Sequence, residues 1–211
     1  MLNVCDRCSE YRADKIIDPA GPYAICPVCG HKHAFLRLPL LIVGGPSGAG
    51  KSAVCRRLLG TLSEVVLLDG DILWRDAFNT PEDNYRDFFE TWLRLAKNIS
   101  QSGRPVVIFN AGMAVPENVE PCVERRYLST VHYLALTCED EALTDRLQRR
   151  PAWQESSSPA WIAEQIQFNR WFKEQADEVT PPVDLLDTTE ATVVETAAQV
   201  AAWIRRKIDD V

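Results

Sequence analysis

One stretch of the chain has the residue types and the spacing that bind phosphate. Residues 45–52 read Gly-Pro-Ser-Gly-Ala-Gly-Lys-Ser and follow an apolar run at 39–43. Glycines at this spacing let backbone N–H groups surround an anion, and a helix after the loop adds its N-terminal partial charge. In such a loop Lys51 reaches the β- and γ-phosphates, and the Ser52 hydroxyl ligates Mg²⁺. The pattern therefore predicts a phosphate-binding loop (P-loop) for a nucleoside triphosphate.

The predicted nucleotide contacts run from the first glycine of the P-loop into the following helix: Gly45, Pro46, Ser47, Gly48, Ala49, Gly50, Lys51, Ser52 and Ala53. Lys51 is also a predicted catalytic residue, because it neutralises charge on the phosphates. The alternative is a surface loop that is rich in glycine by chance. Such a loop requires neither the Lys-Ser pair nor a strand before it and a helix after it.

Two carboxylates follow the next apolar run. Residues 65–68 are Val-Val-Leu-Leu, and Asp69-Gly70-Asp71 comes directly after them. Carboxylates placed there can accept a proton from an attacking hydroxyl, hold that hydroxyl, or bind Mg²⁺ through water. We therefore predict Asp69 and Asp71 as catalytic residues, with their separate roles left open. The alternative is a pair of solvated turn residues around Gly70.

Three arginines end a predicted helix at 139–150, just before Pro151 and a serine-rich stretch at 156–158. Arg146 is predicted to contact the nucleotide. Arg149 and Arg150 are predicted catalytic residues: by the resemblance to small kinases that is given below, they belong to a lid whose closure brings positive charge to the transferred phosphate and excludes water. Arg149 is preferred of the two, because it lies one turn after Arg146. A solvated basic helix end is the alternative, since the helix dipole favours it anyway.

Four of the seven cysteines form two Cys-x-x-Cys pairs with 17 residues between them: Cys5, Cys8, Cys26 and Cys29. Two such pairs are typical of a Cys₄ zinc site. Because so short a segment cannot fold on hydrophobic burial alone, the metal would supply folding free energy. Iron in the same geometry and a pair of disulfides are the alternatives, and a cytosolic location disfavours disulfides. His31 and His33 are expected on the surface of this ribbon, with replacement of a cysteine ligand by one of them as the alternative, and Cys55, Cys122 and Cys138 are expected in the core.

The elements that must position these residues alternate between strand and helix patterns. Strands are predicted at 39–43, 65–68, 105–109, 131–136 and 183–186, and helices at 53–59, 81–102, 139–150, 160–176 and 192–208. This alternation predicts an α/β fold of the P-loop NTPase type, with a five-stranded parallel sheet sandwiched by helices. The carboxyl ends of its strands bring the P-loop, Asp69, Asp71 and Asn110 to one edge. The predicted domains are a zinc ribbon at 1–36 and a nucleotide-binding domain at 38–211.

Capping residues indicate where two of the helices begin. Thr80-Pro81 places an N-cap residue before a proline at the first helical position. Thr192 and Glu195 form a capping box at the last helix. The apolar spacing of that helix predicts that Val193 is buried along with Ala197, Val200, Ile204 and Ile208.

The composition limits the classes of protein and partner. The chain has 211 residues, 46% hydrophobic and 25% charged, which suits one α/β domain with a small appendage. No apolar run approaches the ~20 residues that cross a bilayer, and residues 1–6 lack the features of a signal peptide. We therefore expect a cytoplasmic protein without a membrane partner. The net charge of −7 disfavours a nucleic-acid partner, although residues 146–150 are locally basic.

The segment Leu68-Asp69-Gly70-Asp71 resembles the corresponding segment of adenylylsulfate kinases. With the P-loop, it makes residues 38–208 similar to small P-loop kinases, which also include gluconate kinases, nucleotide kinases and chloramphenicol phosphotransferase-like proteins. The tract at 185–189 is similar to the last strand of those kinases and the loop that borders adenine. By this resemblance Asp187, Thr188 and Thr189 lie near the nucleotide base.

The chain departs from adenylylsulfate kinases at two places. Their arginine follows the second aspartate by three residues, where this chain has Trp74, with Arg75 one residue later. Strand three ends in Asn110-Ala111-Gly112-Met113, without the serines and phenylalanine that hold adenylylsulfate. Strand three also lacks a terminal Asp, so the metal-binding role passes to Asp69 or Asp71, or more weakly to Asn110. The whole chain is similar to bacterial zinc-ribbon P-loop proteins whose substrate is open.

Six aromatic residues crowd the region where acceptor pockets form in these kinases: Trp74, Phe78, Tyr85, Phe88, Phe89 and Trp92. They can stack on a base or sugar, or belong to the core. The sequence as a whole predicts an ATP- and Mg²⁺-dependent kinase that carries Zn²⁺ in its ribbon and acts on a small hydroxylated metabolite, with a nucleoside or nucleotide preferred. ATP and GTP are not distinguished, and nothing in the sequence specifies an oligomeric state. The alternatives are a nucleotide-dependent ATPase or switch whose ribbon binds a protein or RNA, and a polynucleotide 5′-kinase.

Overall fold

The computed structural model describes residues 2–150 and 158–209. In it the main-domain strands form one five-stranded parallel sheet: β4 (Leu40–Gly44), β5 (Val66–Asp69), β6 (Val106–Phe109), β7 (Val131–Thr137) and β8 (Val183–Asp187). The order in the sheet is β5-β6-β4-β7-β8, with β4 in the centre. This confirms the predicted fold class. All five residues of β4 are buried, because helices cover both faces of the sheet.

The helices are α1 (Lys51–Leu58), α2 (Arg86–Ser100), α3 (Pro116–Val119), α4 (Asp140–Gln148), α5 (Pro159–Gln175) and α6 (Val193–Asp209). They form two layers, and alternate residues of β4 point to one layer or the other. Leu40 and Ile42 lie in a core cluster with α2 and α5. Leu41 and Val43 lie in a second cluster with α1 and α6. The described part of the chain contains no helix that is both long and apolar enough to cross a membrane.

Two sequence expectations about the helices are wrong, one about where a helix begins and one about the burial of a side chain. The helix expected at Pro81 is only a short 3₁₀ turn, and α2 begins at Arg86. The helix does not continue from Pro81 to Arg86, because Asn84 and Tyr85 have φ of 51° and 55°, in the left-handed region that ends a helix. At the last helix the Thr192–Glu195 capping box is present, but Val193 is 45% exposed rather than buried.

The N-terminal segment forms a small antiparallel sheet of β1 (Ile16–Ile17), β2 (Tyr23–Ile25) and β3 (Lys32–Ala34). It packs against α2 and residues 123–127. Phe35 lies in a cluster with Leu2, Ala24 and Tyr127, and the Phe35 and Tyr127 rings are 5.9 Å apart. The division at 1–36 and 38–211 remains a prediction, but these contacts show how the two parts meet.

A buried ionic cluster lies under this contact. Glu124 is fully buried and accepts hydrogen bonds from Lys97, from Arg94 Nε at 2.9 Å and from Asn3 Nδ2 at 2.8 Å. Lys97 is also buried, and burial lowers its pKa while Glu124 opposes that shift. Asn3 comes from the N-terminal segment and the other three residues from the main domain. The segment therefore completes the hydrogen bonding of a buried carboxylate.

Replacing Glu124 tests this cluster. We expect Glu124→Leu to destabilise the protein by about 3–5 kcal/mol, because it leaves the Lys97 ammonium buried without its counter-charge. Urea unfolding followed by circular dichroism measures the change. The double variant Lys97→Met/Glu124→Leu should recover most of the loss. If the single variant is as stable as the wild type, the pair does not matter for stability.

Candidate active site

The P-loop connects the central strand to α1 and takes the conformation that its glycines allow. Gly45, Gly48 and Gly50 have φ of 116°, 94° and 103°. At Gly45 a Cβ would lie 2.1 Å from the Leu136 carbonyl oxygen, so no other residue fits. This close approach fixes the loop against β7. The first turn of α1 then points its unpaired N–H groups into the site.

The Lys51 side chain folds back into the P-loop. Its Nζ donates to the carbonyl oxygens of Gly45 and Pro46, both at 2.9 Å. Burial lowers the pKa of Lys51 to about 8, Asp71 opposes this shift and Arg150 adds to it. A phosphate bound in the loop would place negative charge beside the Lys51 ammonium and so stabilise its charged form.

Ser47 is held by two side chains from the other side of the site. Arg150 donates to Ser47 Oγ at 2.9 Å, and the Ser47 N–H donates to Gln165 Oε1 at 2.7 Å. Arg150 follows α4, and Gln165 lies on α5. Partial burial lowers the pKa of Arg150, but the guanidinium stays charged. Positive charge is therefore fixed at the loop without a ligand.

The two candidate carboxylates have different surroundings. Asp69 Oδ1 accepts the N–H of Asp71 at 3.1 Å and so caps the turn between them. Asp71 lines the pocket, and Asn110 Nδ2 donates to its Oδ1 at 3.4 Å. Desolvation, together with the charge of Asp69, raises the pKa of Asp71, while Lys51 opposes this. Asp71 is thus the carboxylate that faces a ligand, and Asp69 shapes the turn.

Asn110 reaches Asp71 because Gly70 leaves room for it. A Cβ at Gly70 would lie 2.5 Å from the Asn110 Cβ. Asn110 Oδ1 also accepts the Met113 N–H at 3.1 Å, which fixes the amide orientation. The edge expected from the sequence is present: the P-loop, Asp71 and Asn110 meet at the carboxyl ends of β4, β5 and β6.

The pocket over this edge has a volume of about 1180 Å³. Its described lining includes P-loop and α1 residues, the carboxyl ends of β5 and β6, and side chains of α2, α4 and α5. Among the predicted nucleotide contacts, the lining residues are Ser47, Gly48, Gly50, Lys51, Ser52, Ala53 and Arg146. Pro46 and Ala49 are buried beneath them.

The residues predicted to lie near the base are hydrogen-bonded to Arg146 or to one another; Arg146 lines the pocket, whereas Asp187, Thr188 and Thr189 are not among its described lining residues. Arg146 donates to the Thr188 carbonyl oxygen at 2.5 Å, to Thr188 Oγ1 at 3.1 Å and to the Thr189 carbonyl oxygen at 3.0 Å. Thr188 is buried, and its hydroxyl is 3.4 Å from the Ala49 carbonyl oxygen. Asp187 accepts from the N–H and hydroxyl of Thr189, and the hydroxyl bond lowers the pKa of Asp187. Arg146 therefore ties the loop after β8 to α4, with both of its Nη atoms donating to that loop.

The geometry favours Arg150 over Arg149. The Arg149 side chain is 82% exposed and lies 3.6 Å from Asp145, on the same helix face. It does not line the pocket. The sequence analysis preferred Arg149 because it lies one turn after Arg146. That spacing applies only within a helix, and α4 ends at Gln148, before both arginines. The predicted lid beyond them, at Pro151 and 156–157, lies outside the described residues.

The aromatic residues line the pocket, belong to the core, or do both. Trp74, Tyr85, Phe88 and Phe89 line the pocket, and of these Phe88 and Phe89 are also buried in the core. Phe78 and Trp92 are buried, and the Trp92 indole N–H donates to the Gly70 carbonyl oxygen at 3.1 Å. Trp92 thereby holds the turn that carries Asp71.

The four cysteines of the N-terminal segment converge. Cys5 Sγ is 3.5 Å from Cys29 Sγ, and Cys8 Sγ is 3.8 Å from Cys26 Sγ. All four sulfurs lie within 4.8 Å of one another, and none is in a disulfide. Sulfurs at about 2.3 Å from a tetrahedral zinc are about 3.8 Å apart, so this set fits the ion. One expectation is wrong: His33 is buried, with its Nδ1 3.3 Å from Asp6.

Comparison with known families identifies residues 40–174 as an AAA domain. The chain belongs to the AAA domain family. The matched range contains the P-loop, Asp71, Arg146 and Arg150, and it begins after the cysteine segment. No curated protein matches the chain.

Several solved structures share the fold of this AAA domain protein. A gluconokinase from Sinorhizobium meliloti 1021 has a TM-score of 0.57 at 14% identity, covering 83% of this chain and 97% of its own. The tunicamycin resistance protein of Deinococcus radiodurans has a TM-score of 0.55 at 17% identity, covering 80% and 96%. A shikimate kinase from Acinetobacter baumannii, in complex with shikimate, has a TM-score of 0.50 at 20% identity, covering 81% and 94%. At these identities the likeness shows the fold alone.

Two functional contacts escaped the sequence analysis of this AAA domain protein. Gln165 sits in an amphipathic helix with no motif around it, so nothing in the sequence marks it. Arg56, which lines the pocket four residues after Ser52, lies at helical spacing from the P-loop. That spacing is a signal that could have identified it.

The pKa of Lys51 predicts how nucleotide affinity depends on pH. The free protein loses the Lys51 proton above about pH 8, whereas bound phosphates favour the charged form and raise its pKa. Binding then takes up a proton, so affinity falls above pH 8 by up to about tenfold per unit. Calorimetric titration of MgADP between pH 7.5 and 9.5 measures this. Lys51→Arg keeps its charge and should bind more weakly with no such slope. A flat wild-type profile would contradict the prediction.

Metal analysis tests the cysteine cluster. We expect about one zinc ion per purified chain, lost in Cys26→Ser and retained in Cys55→Ala, whose cysteine lies in the core of the main domain. Inductively coupled plasma mass spectrometry measures the content. Iron in place of zinc would change the identity of the metal, and a metal-free wild type with oxidised thiols would reject the metal site.

Proposed function

We propose that this protein transfers the γ-phosphate of ATP to a hydroxyl group of a small metabolite. The observation that carries the proposal is the meeting of Lys51, Arg150 and Asp71 in one pocket. A typical site for one ligand has a volume of about 300–1,000 Å³, and this pocket reaches about 1180 Å³. It therefore has room for a nucleotide and an acceptor side by side.

The P-loop residues would bind the nucleotide phosphates. The loop N–H groups and the start of α1 supply fixed partial positive charge, and Lys51 adds a full charge at the β- and γ-phosphates. Mg²⁺, when bound, would neutralise phosphate charge, with the Ser52 hydroxyl as a ligand. Arg146, which lines the pocket and holds Thr188 and Thr189, would lie at the base end. This part of the proposal applies to ATP and GTP alike.

Asp71 would orient the acceptor and take its proton. Of the two carboxylates it alone lines the pocket, and its raised pKa makes it the better proton acceptor. Asn110 holds the Asp71 carboxylate, and the Asp69 cap and the Trp92 indole hold the turn. Arg150 would stabilise the charge that develops on the transferred phosphate. Catalysis on this proposal is positioning and charge stabilisation.

The acceptor side of the pocket favours an uncharged planar ligand. Trp74, Tyr85 and Phe88 form its wall, and the Trp74 ring lies 5.3 Å from Phe88 and 6.0 Å from Tyr85. The cations in the described lining are Lys51, Arg56, Arg146 and Arg150, and none of them comes from this wall. A carboxylate acceptor such as gluconate or shikimate would need a cation there. A nucleoside, with a stacking base and free hydroxyls, fits this chemistry.

The proposal also includes a structural zinc ion in the N-terminal segment. The four converging cysteines support it, and the buried contact of this segment with α2 gives the ion a stabilising role. A switch in which the ribbon recruits a partner is the alternative function, and it predicts hydrolysis without an acceptor.

Acceptor-dependent phosphate transfer tests the function. We expect MgATP consumption to rise well above background with a nucleoside pool and not with gluconate or shikimate, and the product to gain the mass of one phosphate. Coupled ADP release and mass spectrometry measure these. Asp71→Asn should lower the rate about 10²–10⁴-fold, whereas the isosteric Asp69→Asn should lower it much less. Hydrolysis that needs Lys51 but responds to no acceptor would favour the switch.

A further inference from the structure

Among the described residues, Gln165 is the α5 side chain that hydrogen-bonds the P-loop. Its Oε1 accepts the Ser47 N–H at 2.7 Å. Ser47 also receives Arg150 on its hydroxyl at 2.9 Å. Gln165 and Arg150 thus bind the same P-loop residue through its two different polar groups.

The position of Ser47 identifies which part of a nucleotide this contact affects. Lys51 Nζ donates to the carbonyl oxygens of Gly45 and Pro46, the two residues before Ser47, and Arg150 donates to the Ser47 hydroxyl. The lysine of a P-loop reaches the β- and γ-phosphates. Ser47, Arg150 and Lys51 therefore lie around the place that the terminal phosphate would take.

The helix that carries Gln165 is anchored independently of it. Asn169, one turn further along, is buried, and its side chain donates to the Cys138 carbonyl oxygen at 2.7 Å and accepts the Cys138 N–H at 3.3 Å. Ile162 packs with Leu143 of α4 in the same cluster as Cys138. Loss of the Gln165 amide would therefore leave α5 folded and attached to the end of β7.

We propose that Gln165 is a positioning residue for phosphoryl transfer. By accepting the Ser47 N–H, it fixes the P-loop in the position in which Arg150 contacts the terminal phosphate. The inference rests on the proposed function, since it needs a nucleoside triphosphate in the loop. The Gln165 carbonyl uses only the Ser47 N–H. The contact uses neither the helix-start N–H groups nor Lys51 Nζ, so it is compatible with a bound nucleotide.

Nucleotide affinities separate this role from a passive contact. We expect Gln165→Ala to weaken binding of the magnesium complex of the non-hydrolysable imidotriphosphate analogue of ATP about three- to tenfold, the range of one hydrogen bond. Binding of MgADP should change less than twofold, because ADP lacks the phosphate that Arg150 meets. Isothermal titration calorimetry measures both. Gln167→Ala, on the exposed face of the same helix, is the matched control and should bind both ligands as the wild type does.

A double-variant cycle tests the link to Arg150. If Gln165 acts through Arg150, Gln165→Ala should have no further effect on triphosphate affinity in an Arg150→Ala background. An undiminished effect there, or equal losses for both nucleotides, would overturn the inference. So would a Gln165→Ala variant that binds the triphosphate as tightly as the wild type or more tightly. Failure of the wild type to bind either nucleotide would remove the proposed function itself, which is a distinct result.

Discussion

The candidate site is arranged around the P-loop, and the P-loop depends on the central position of β4. This strand is paired with β6 on one side and β7 on the other, and every residue in it is buried. The chain therefore leaves the sheet at a fixed point and in a fixed direction. At that point Gly45 passes so close to the Leu136 carbonyl that any side chain would collide with β7. The loop amides are held in place before any ligand arrives, so binding does not have to order them.

Charge balance is the second constraint on the site. Lys51 and Arg150 bring two positive charges to a partly desolvated place, and Asp71 is the only carboxylate of the described lining. Without a ligand the lysine is satisfied by two loop carbonyls, and burial disfavours its charge. A polyphosphate would reverse this, because it supplies the missing negative charge. The arrangement therefore favours anionic ligands at the P-loop.

Helix α2 connects the aromatic side of the pocket to the N-terminal segment. Phe88 and Phe89, near its start, line the pocket, whereas Lys97 and Gln101, near its end, contact Glu124 and Leu36. The buried ionic cluster at Glu124 includes Asn3, so the segment with the four cysteines contributes to the seating of this helix. The segment is thus a structural part of the domain that forms the pocket, as well as a separate small sheet.

The sequence by itself determined the fold class, the P-loop and the edge of the sheet where Asp71 and Asn110 meet it, because strand and helix periods and the glycine spacing are local patterns. It also indicated the cysteine cluster, whose ligands come in pairs close in sequence. It gave the wrong start for α2, since the left-handed residues Asn84 and Tyr85 have no glycine to mark them. Only the tertiary structure distinguished Asp71 from Asp69 and Arg150 from Arg149, because neighbours in sequence can point to opposite sides of a turn. It alone revealed Gln165 at Ser47 and Asn3 at Glu124, since contacts between residues more than a hundred positions apart depend on packing that no local pattern records.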